Sequence, residues 1–465
     1  MFSRSQQVTV NGGNFLAVEG DYNPSVRVEN RRGIDILLEG VAKGALHNSG
    51  ERFDPPKCHP NTRTAVLQKI MDWIQNGDPS SPEFMWIYGP AGSGKSAIAQ
   101  SIAELCYEYG LLLGTFFFSR SVAGRNDDKR LAATIAYQIG QSISEALPSI
   151  EKAVERNPAL LSLNLEAQLK ALIIEPLLKS ASHPLPRPRL IIIDGLDECQ
   201  DPRAQTTIIR TFTQLVTVHK LPFIILFASR TEYHIREAFN DKILDANLCR
   251  IALDNTLWRA DEDIRSFLIS RFQNIHATHQ IRSYLPRDWP LPEVINKLVG
   301  KSSGQFIYAS TVIKYVEAHG HHPTNRLDTV LGLRSIENGT PFAELDYLYR
   351  HILSAVEDYS LVSRILGYLL LVEASRSFGA FNTPKFIDKF FKLQTGTTYL
   401  ALSNLHSIIN VPDDGQAITM IHASFGDFLF DTSRSDTYFL DPSFAHTDIA
   451  VCCFQTIAEG GSPVT

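Results

Sequence analysis

The sequence predicts an α/β domain, with a parallel sheet and helices on both of its faces, followed by an all-α helical domain and a winged-helix domain. Five apolar runs alternate with helical segments in the first half of the chain, whereas helical segments follow one another after Asp254. Apolar runs without polar alternation are typical of strands buried on both faces, as in a parallel sheet. A short hairpin pattern after the last helical segments indicates the wing.

The predicted strands are five short apolar runs. They are FMWIY (84–88), LLLGTFFF (111–118), LIIID (190–194), FIILFA (223–228) and CRIAL (249–253). A helix is expected from Thr64, because apolar residues recur there with helical spacing at Val66, Leu67, Ile70, Trp73 and Ile74. Strands alternating with helices predict one nucleotide-binding α/β domain at residues 57–254.

The second half of the chain predicts helices and then a hairpin. Ile264, Phe267, Leu268 and Phe272 form one helical face, and LPEVINKLVG and FIYASTVIKYVEAHG are two more helices of a helical domain at 255–335. The segments FAELDYLYRHILSAVE, LVSRILGYLLLVEA and TGTTYLALSNL begin a winged-helix domain at 336–440. Its wing is HSIINVPDDGQAITMIH, in which two strand-like runs surround Pro412–Gly415, and residues 441–465 form a tail.

Residues 1–56 are predicted to be a separate N-terminal segment. QVTVNGGNFLAVEG (7–20) alternates around Asn11-Gly12-Gly13, which predicts a hairpin, and a looser echo follows at 26–40. One interpretation is a small hairpin followed by a helix from about Gly33 to Leu46. The other is a self-pairing β motif that recruits a partner by edge addition. RFDPPKCHPNTR then reads as a linker, since its prolines resist helix formation.

Composition narrows the possible functions. The chain has 465 residues, a net charge of -6, 44% hydrophobic and 20% charged residues, which is typical of a globular protein. Six cysteines lack metal-ligand spacing and suit a reducing compartment. The apolar runs are too short to span a membrane, and no secretory signal is visible. We therefore expect a cytoplasmic protein with no membrane partner, and the charge leads us to expect no nucleic-acid partner.

A phosphate-binding loop is the strongest motif. GPAGSGKS, Gly89–Ser96, fits G-x-x-x-x-G-K-[ST] and lies between the predicted strand FMWIY and an amphipathic helix. Its backbone N–H groups and the helix N-terminus are suited to phosphate oxygens. Lys95 would reach the β- and γ-phosphates and Ser96 would bind Mg²⁺. The predicted loop contacts to ATP or ADP come from Gly89, Pro90, Ala91, Gly92, Ser93, Gly94, Lys95, Ser96 and Ala97.

Charged residues follow two other strands. Asp194 ends LIIID and is placed to hold Mg²⁺. Asp197 and Glu198 come next, and either could orient or deprotonate the water that attacks the γ-phosphate; Glu198 is preferred, but spacing does not separate them. Arg230 ends FIILFASR, at the edge where open α/β sheets bind ligands, so it could reach the γ-phosphate. The alternative for Arg230 is an ion pair with a surface acid.

Together these motifs resemble the NACHT domain of STAND NTPases. GPAGSGKS, LIIIDGLDEC and FASRTEYHIREAF carry the resemblance, and CHPNTRTAVLQKIMDWI, LAATIAYQI and IHASFGDFLFDTSRS resemble the fungal NLR-like branch described as Nephrocystin-3-like N-terminal. The resemblance implies a signalling switch that is closed on ADP and opens on ATP into a homo-oligomer, with slow hydrolysis and a downstream effector recruited through the N-terminal segment, in innate immunity or incompatibility-type signalling.

The resemblance also implies roles for single residues. Arg230 matches the first sensor, and His422 matches the winged-helix histidine that contacts the ADP β-phosphate in the closed state. Thr62 and Arg63 fall where the family places a loop beside the adenine. The chain departs from the family at Phe306, which replaces a proline over the base, and at Ala423, which replaces an acid. Without the resemblance, the residues of MIHASFGDFLFD favour a core or helix-cap histidine at His422 over a phosphate contact.

Two other functions remain open from the residues. A P-loop kinase or ATPase with steady turnover would keep the same loop, but the sequence has no segment rich in arginine that could close over the phosphates. A nucleic-acid binder acting through the winged helix is the third possibility. The region expected to recognise it, TGTTYLALSNLHS, contains no Lys or Arg, so contacts to phosphates would be poor.

Overall fold

The computed structural model describes most of the chain from residue 32 onwards. The described ranges are 32–52, 55–75, 81–120, 122–180, 189–221, 223–241, 244, 247–253, 258–332, 343–372, 381–405, 407–412, 416–420 and 422–458. The hairpin predicted at 7–20, whether a simple turn or a partner-recruiting motif, lies outside these ranges.

A five-stranded parallel sheet forms the centre of the first half. Its strands are β1 (Phe84–Tyr88), β2 (Leu112–Phe117), β3 (Arg189–Asp194), β4 (Phe223–Ser229) and β5 (Leu248–Ala252), in the order β2-β3-β4-β1-β5. The five strand predictions are confirmed to within one or two residues. In this register Asp194 pairs with Phe117 and Ala228, so the carboxyl ends of β2, β3 and β4 meet at one edge.

Helices cover both faces of this sheet. They are α1 (Gly33–Glu39), α2 (Thr64–Gln75), α3 (Lys95–Glu108), α4 (Leu131–Ser142), α5 (Leu147–Arg156), α6 (Leu165–Leu169), α7 (Glu175–Ser180), α8 (Pro202–His219) and α9 (Tyr233–Phe239). Alternate residues of β3 enter two different cores. Ile191 and Ile193 pack with α4 and α8, and Leu190 and Ile192 pack with α2 and α3. Burial on both faces explains why the strands read as continuous apolar runs.

The helix predicted from Gly33 to Leu46 is shorter than expected. It ends at Glu39, and only a 3₁₀ turn at Lys43–Ala45 follows. Gly40, a weak helix former, caps α1. The backbone N–H of Ala42 then donates to the Thr134 hydroxyl on α4 at 2.9 Å instead of continuing the helix. Residues 33–52 thereby pack onto the sheet domain, and Leu37 and Ala45 join its core.

The second half is mostly helical and has one core of its own. Its elements are α10 (Ala260–Thr278), α11 (Pro292–Ser302), α12 (Phe306–Val316), α13 (Pro323–Gly332), α14 (Ala343–Ser354), α15 (Tyr359–Val372), α16 (Pro384–Phe390), α17 (Thr397–Leu402), β6 (Ile409–Asn410), β7 (Thr419–Met420), α18 (Ala423–Leu429), α19 (Thr432–Ser435) and α20 (Pro442–Ala458). The strands β6 and β7 pair antiparallel, as predicted for the wing, and residues 413–415 between them lie outside the described ranges. A winged helix as such stays a prediction.

Two predictions from composition can be compared with the structure. All six cysteines are free thiols. In the described parts of the chain, no helix combines the length and the apolar character needed to cross a bilayer.

Candidate nucleotide-binding site

The phosphate-binding loop joins β1 to α3. Gly92 and Gly94 have φ angles of 75° and 92°, in the left-handed region that favours glycine, and α3 begins directly afterwards at Lys95. The first N–H groups of a helix have no partner within it, so they face the loop as anion donors. Lys95 Nζ donates to the carbonyls of Gly89 at 2.9 Å and Pro90 at 2.8 Å. The lysine is thus held over the loop where a phosphate would lie.

Ser96 and Asp194 form the part of the site that suits a divalent cation. The Ser96 side chain hydrogen-bonds to the Asp194 carboxyl group, while the buried Asp194 Oδ1 has no hydrogen-bond partner. Burial raises the pKa of Asp194 to about 6, although Ser96, Arg52 and Lys95 oppose this. An unpaired buried carboxylate oxygen beside a hydroxyl group offers two of the oxygen ligands that Mg²⁺ prefers, so these residues fit the ion.

Asp197 and Arg230 are bound to each other. The backbone N–H of Arg230 donates to Asp197 Oδ1 at 2.9 Å, and Arg230 Nε lies 3.1 Å from Asp197 Oδ2. Asp197 is 3% exposed and Arg230 is 22% exposed, so the pair is largely shielded from water. Both oxygens of Asp197 are therefore occupied, and the orientation of the arginine is fixed.

Arg230 also contacts a residue of the second half. Its Nη1 lies 2.8 Å from Oδ2 of Asp427 on α18. The other oxygen, Asp427 Oδ1, lies 3.3 Å from Nη1 of Arg120, which follows β2. Burial lowers the pKa of Arg230, but the carboxylates of Asp427 and Asp197 outweigh it, and the pKa is raised on balance. One carboxylate from α18 thus joins two arginines at the edge of the sheet.

Glu198 differs from its neighbour Asp197. It lies in the short 3₁₀ turn Leu196–Glu198 that follows β3, and its Oε2 accepts the backbone N–H of Arg120 at 3.1 Å. Burial, together with the negative charge of Asp197, raises the pKa of Glu198 to about 7. A carboxyl group with this pKa can exchange a proton near neutral pH.

His422 is the N-cap of α18, and its ring is oriented by that helix. Its Nδ1 accepts the backbone N–H of Ser424 at 3.0 Å. Burial, together with the cationic Arg230 and Lys95, lowers the pKa of His422 to about 4. The ring is therefore neutral at pH 7. Since Nδ1 is an acceptor, the proton lies on Nε2, which is a donor. His422 is both a cap and a neighbour of the phosphate loop.

Helix α12 also contacts the loop. The N–H of Ile307 lies 3.4 Å from the carbonyl oxygen of Gly92. A Cβ atom placed on Gly92 would lie 2.2 Å from Cγ2 of Ile307, so only glycine fits this contact. Two helices of the second half, α12 and α18, therefore both reach the edge of the sheet that carries the loop.

Thr62 and Arg63 are buried beside the loop and do not belong to a free linker. Arg63 Nη2 donates to the Ser93 carbonyl at 2.9 Å, and its guanidinium lies 5.0 Å from the centre of the Phe306 ring. The buried Nε and Nη1 of Arg63 have no hydrogen-bond partner. Thr62 donates its hydroxyl to the carbonyl of His59 at 2.7 Å. These contacts place the loop before α2 against both the phosphate loop and α12.

The structure gathers the predicted site residues at one edge of the sheet. Lys95 of the loop interacts electrostatically with Asp194, Asp197, Glu198 and Arg230. Burial lowers the pKa of Lys95, and the three carboxylates oppose this effect. The sequence did not predict a role for Asp427, Arg120 or Ile307. Arg120 could have been found, because it follows β2 as Arg230 follows β4. Asp427 lies five residues after His422, but only the fold brings its carboxylate to the arginines.

A family model described as Nephrocystin 3, N-terminal matches residues 61–230. No curated relative matches the chain. Similar solved structures include Drosophila ORC bound to DNA, with 14% identity, a TM-score of 0.34 and coverage of 79% of this chain and 95% of that chain. The Aeropyrum pernix ORC1 protein in complex with DNA has 14% identity and a TM-score of 0.34, with coverage of 82% of this chain and 93% of that chain. AMPPCP-bound DnaA from Aquifex aeolicus has 14% identity and a TM-score of 0.31, with coverage of 77% of this chain and 90% of that chain. Likeness at this level assigns no ligand to this chain.

The prediction that the protein has no nucleic-acid partner does not stand. Two of the similar structures are of proteins bound to DNA. The prediction rested on the net charge of -6, which describes the whole chain. Basic residues can still cluster on one surface, so net charge is a weak basis for that exclusion.

Proposed function

We propose that this protein is a nucleotide-dependent switch of the STAND class with a NACHT-type nucleotide-binding domain, closed when it binds ADP and opened by ATP. The observation that carries the proposal is the convergence of α12 and α18 on the phosphate-binding loop and its neighbouring arginines. Helices that cover the phosphate site make contacts that depend on what occupies it. A ligand that favours one arrangement then shifts the population between arrangements.

The loop residues from Gly89 to Ala97 hold the phosphates in this proposal, and Lys95 neutralises their charge. Thr62 and Arg63 lie beside the base, because Arg63 joins the loop at Ser93 to the ring of Phe306. His422 donates Nε2–H to the β-phosphate, since its Nδ1 is occupied by Ser424. Ser96 and Asp194 would hold Mg²⁺, which supplies positive charge to the phosphate oxygens when bound.

Hydrolysis would reset the switch. Glu198 is the better candidate for the residue that accepts a proton from the attacking water, because both oxygens of Asp197 already bind Arg230. Asp197 then acts by positioning the arginine. The raised pKa of Glu198 leaves a substantial fraction of the carboxylate ionised at pH 7. We expect hydrolysis to be slow, because in this proposal it only returns the ATP-bound form to the ADP-bound form.

The remaining parts of the proposal concern assembly. The open form would be a homo-oligomer, and the N-terminal segment would recruit a downstream effector in a cytoplasmic signalling pathway of the innate-immunity or incompatibility type. The hairpin β6–β7 and the helices around it would form a winged helix that carries His422. The family model that matches residues 61–230 supports the placement of the nucleotide-binding domain.

Size measurements on the purified full chain test the switch. The co-purifying nucleotide is identified by chromatography after denaturation, and light scattering then measures the mass with ADP and with the non-hydrolysable analogue AMP-PNP, each with Mg²⁺. We expect bound ADP, a monomer with ADP and a larger species with AMP-PNP. The Lys95→Ala variant is the control and should keep one size throughout.

Two results would contradict the proposal. One is an identical mass and hydrodynamic radius with ADP and AMP-PNP in a protein that binds both. The other is steady hydrolysis above roughly 1 s⁻¹, which lies in the ordinary range of enzymes and would favour a P-loop enzyme with continuous turnover.

A further inference from the structure

We propose that Asp427 occupies the position of a nucleotide γ-phosphate and thereby makes the closed form selective for a nucleoside diphosphate over a triphosphate. The inference rests on the proposed function, because it assigns the residue that distinguishes the two nucleotides. Asp427 lies on α18 in the second half of the chain, 197 residues after Arg230.

The contacts of Asp427 resemble those of a bound phosphoryl group. Its Oδ2 lies 2.8 Å from Arg230 Nη1, and its Oδ1 lies 3.3 Å from Arg120 Nη1. Two guanidinium groups around two oxygens are the arrangement that proteins use for phosphates and carboxylates alike. Asp427 is 24% exposed and Arg230 is 22% exposed, so this pairing is partly shielded from water.

The positions of Arg120 and Arg230 indicate which phosphate of the nucleotide Asp427 would replace. Arg230 follows β4 and Arg120 follows β2, and both lie beyond the carboxyl ends of their strands, next to the β3 end that carries Asp194. Glu198, the candidate base, accepts the backbone N–H of Arg120. Since Glu198 contacts Arg120, the two arginines lie on the side of the site where a terminal phosphate would be attacked in the proposed function.

A γ-phosphate and the Asp427 carboxylate need the same donors. Arg230 Nε is already bound to Asp197, so its Nη1 is the group that Asp427 holds. A triphosphate would bring the negative charge of its γ-phosphate next to the Asp427 carboxylate, and two negative charges in contact repel each other. A diphosphate leaves the carboxylate in place, whereas a triphosphate must displace it.

Displacement of Asp427 would be transmitted to the second half. Asp427 lies in α18, whose N-cap is His422. The hydroxyl of Ser424 in the same helix bonds to Tyr349 on α14 at 2.9 Å. Helix α19 is tied to α14 as well, by Arg434 and Asp346 at 2.7 Å. A movement of Asp427 away from the arginines therefore moves a helix that is bonded to the core of the second half.

The test measures nucleotide affinity in the nucleotide-free full chain. Dissociation constants for ADP and AMP-PNP are determined for the wild type, for Asp427→Asn and for Asp358→Asn. Asp358 is an exposed cap of α15, and asparagine caps helices equally well, so this control makes the same change of charge without contact to the arginines.

We expect the wild type to prefer ADP. In Asp427→Asn, the preference should shift toward AMP-PNP by at least about fivefold, the lower end of typical couplings between sites, and the ADP affinity should change little. Asp358→Asn should behave as the wild type does. Asp427→Ala makes the same test if the asparagine variant does not fold.

An unchanged affinity ratio in both folded Asp427 variants would overturn this inference and leave the proposed switch in place. A wild type that binds neither nucleotide is a different result, because it would overturn the proposed function together with the inference.

Discussion

Nη1 of Arg230 lies 2.8 Å from Oδ2 of Asp427, and this ion pair joins the end of β4 to a helix 197 residues later. The sequence left two interpretations of Arg230, a phosphate sensor or an arginine paired with an acid. The structure has the arginine bound to two acids, Asp197 and Asp427, at the phosphate-binding edge. An arginine held in this way is an ion-pair contact between the two halves, and its role toward a phosphate stays a prediction.

Replacing Arg230 should destabilise the protein more than an ordinary surface arginine does. In Arg230→Ala the 3%-exposed Asp197 keeps the backbone N–H at Oδ1 but loses the guanidinium group at Oδ2, and a buried acceptor left without its partner costs about 1–3 kcal/mol. Arg259→Ala is the matched control, because Arg259 and Glu262 are 74% and 66% exposed and should change stability by less than about 0.5 kcal/mol. Urea unfolding without nucleotide measures both. Equal losses would contradict a structural role for the Arg230 pair.

The sheet could be predicted from sequence because its burial leaves a local signal. The runs LIIID and FIILFA are apolar throughout, since both faces of β3 and β4 are covered. The end of α1 left a weaker signal. Its early stop depends on Gly40 and on a hydrogen bond between Ala42 and Thr134, a partner 92 residues away. Contacts at such distances along the chain are not encoded in a local pattern.

The same distinction applies to the site. The loop Gly89–Ser96 and Asp194 have spacing and context that follow directly from their chemistry. The sequence did not distinguish Asp197 from Glu198 as the base, and the proposal of Glu198 rests on the contacts of Arg230 with both oxygens of Asp197. No sequence motif marks Asp427, because its contacts with Arg230 and Arg120 arise only when α18 packs on the edge of the sheet.

The contact between α12 and the phosphate loop can be measured with a double-mutant cycle. Gly92→Ala places a Cβ atom 2.2 Å from Ile307 Cγ2, and overpacking of this kind costs about 1–3 kcal/mol. Gly94→Ala introduces a side chain at a similar positive φ but meets no atom within 4 Å, so it isolates the backbone strain. Unfolding of the nucleotide-free protein should show that Ile307→Ala relieves part of the Gly92→Ala loss and none of the Gly94→Ala loss. Strictly additive effects at Gly92 and Ile307 would mean that α12 does not rest on the loop.

Glu198 and Asp197 should respond differently to amide substitution. Glu198→Gln keeps the size of the side chain and an oxygen for the N–H of Arg120, so stability and nucleotide affinity should change little while hydrolysis falls by about 100-fold or more. Asp197→Asn weakens its ion pair with Arg230 and should lower the unfolding temperature as well. Single-turnover hydrolysis and thermal unfolding of the two variants separate the roles. A larger loss of hydrolysis in a fully stable Asp197→Asn would reverse the assignment.

Two substitutions of His422 distinguish a helix cap from a phosphate contact. Asparagine caps a helix well, so His422→Asn retains a cap for α18 but lacks the Nε2 donor, whereas His422→Ala loses both. A hydrogen bond to a charged phosphate contributes about 1.5–3 kcal/mol, so both variants should release ADP at least roughly tenfold faster than the wild type. Stopped-flow release of a fluorescent ADP analogue measures this rate. A wild-type rate in His422→Asn together with a faster rate in His422→Ala would show that the histidine is only a cap.

The pH dependence of stability provides an independent test of the burial of His422. Burial lowers its pKa in the folded protein to about 4, with Arg230 and Lys95 lowering it and Asp427 opposing them, whereas the ordinary value is 6.5. Between pH 6.5 and 4 the unfolded chain therefore binds a proton that the folded chain does not. This contribution to stability is fully present above pH 6.5 and is lost as the pH falls toward 4, by up to about 1.4 kcal/mol per pH unit.

Other groups also titrate between pH 4 and 7. The informative quantity is therefore the difference in unfolding free energy between the wild type and His422→Asn. Glu198 contributes with the opposite sign, because its raised pKa of about 7 makes its folded form less stable as the pH rises through the range from 4.5 to 7. Glu198 is present in both the wild type and His422→Asn and largely cancels when their unfolding free energies are subtracted. Urea unfolding of the nucleotide-free proteins at pH 7.5, 6, 5 and 4.5 should give a wild-type advantage that shrinks steadily below pH 6.5. A difference that stays constant over this range would mean that His422 is as accessible to protons in the folded protein as in the unfolded chain, and α18 would then not be docked against Arg230 and Lys95 in solution.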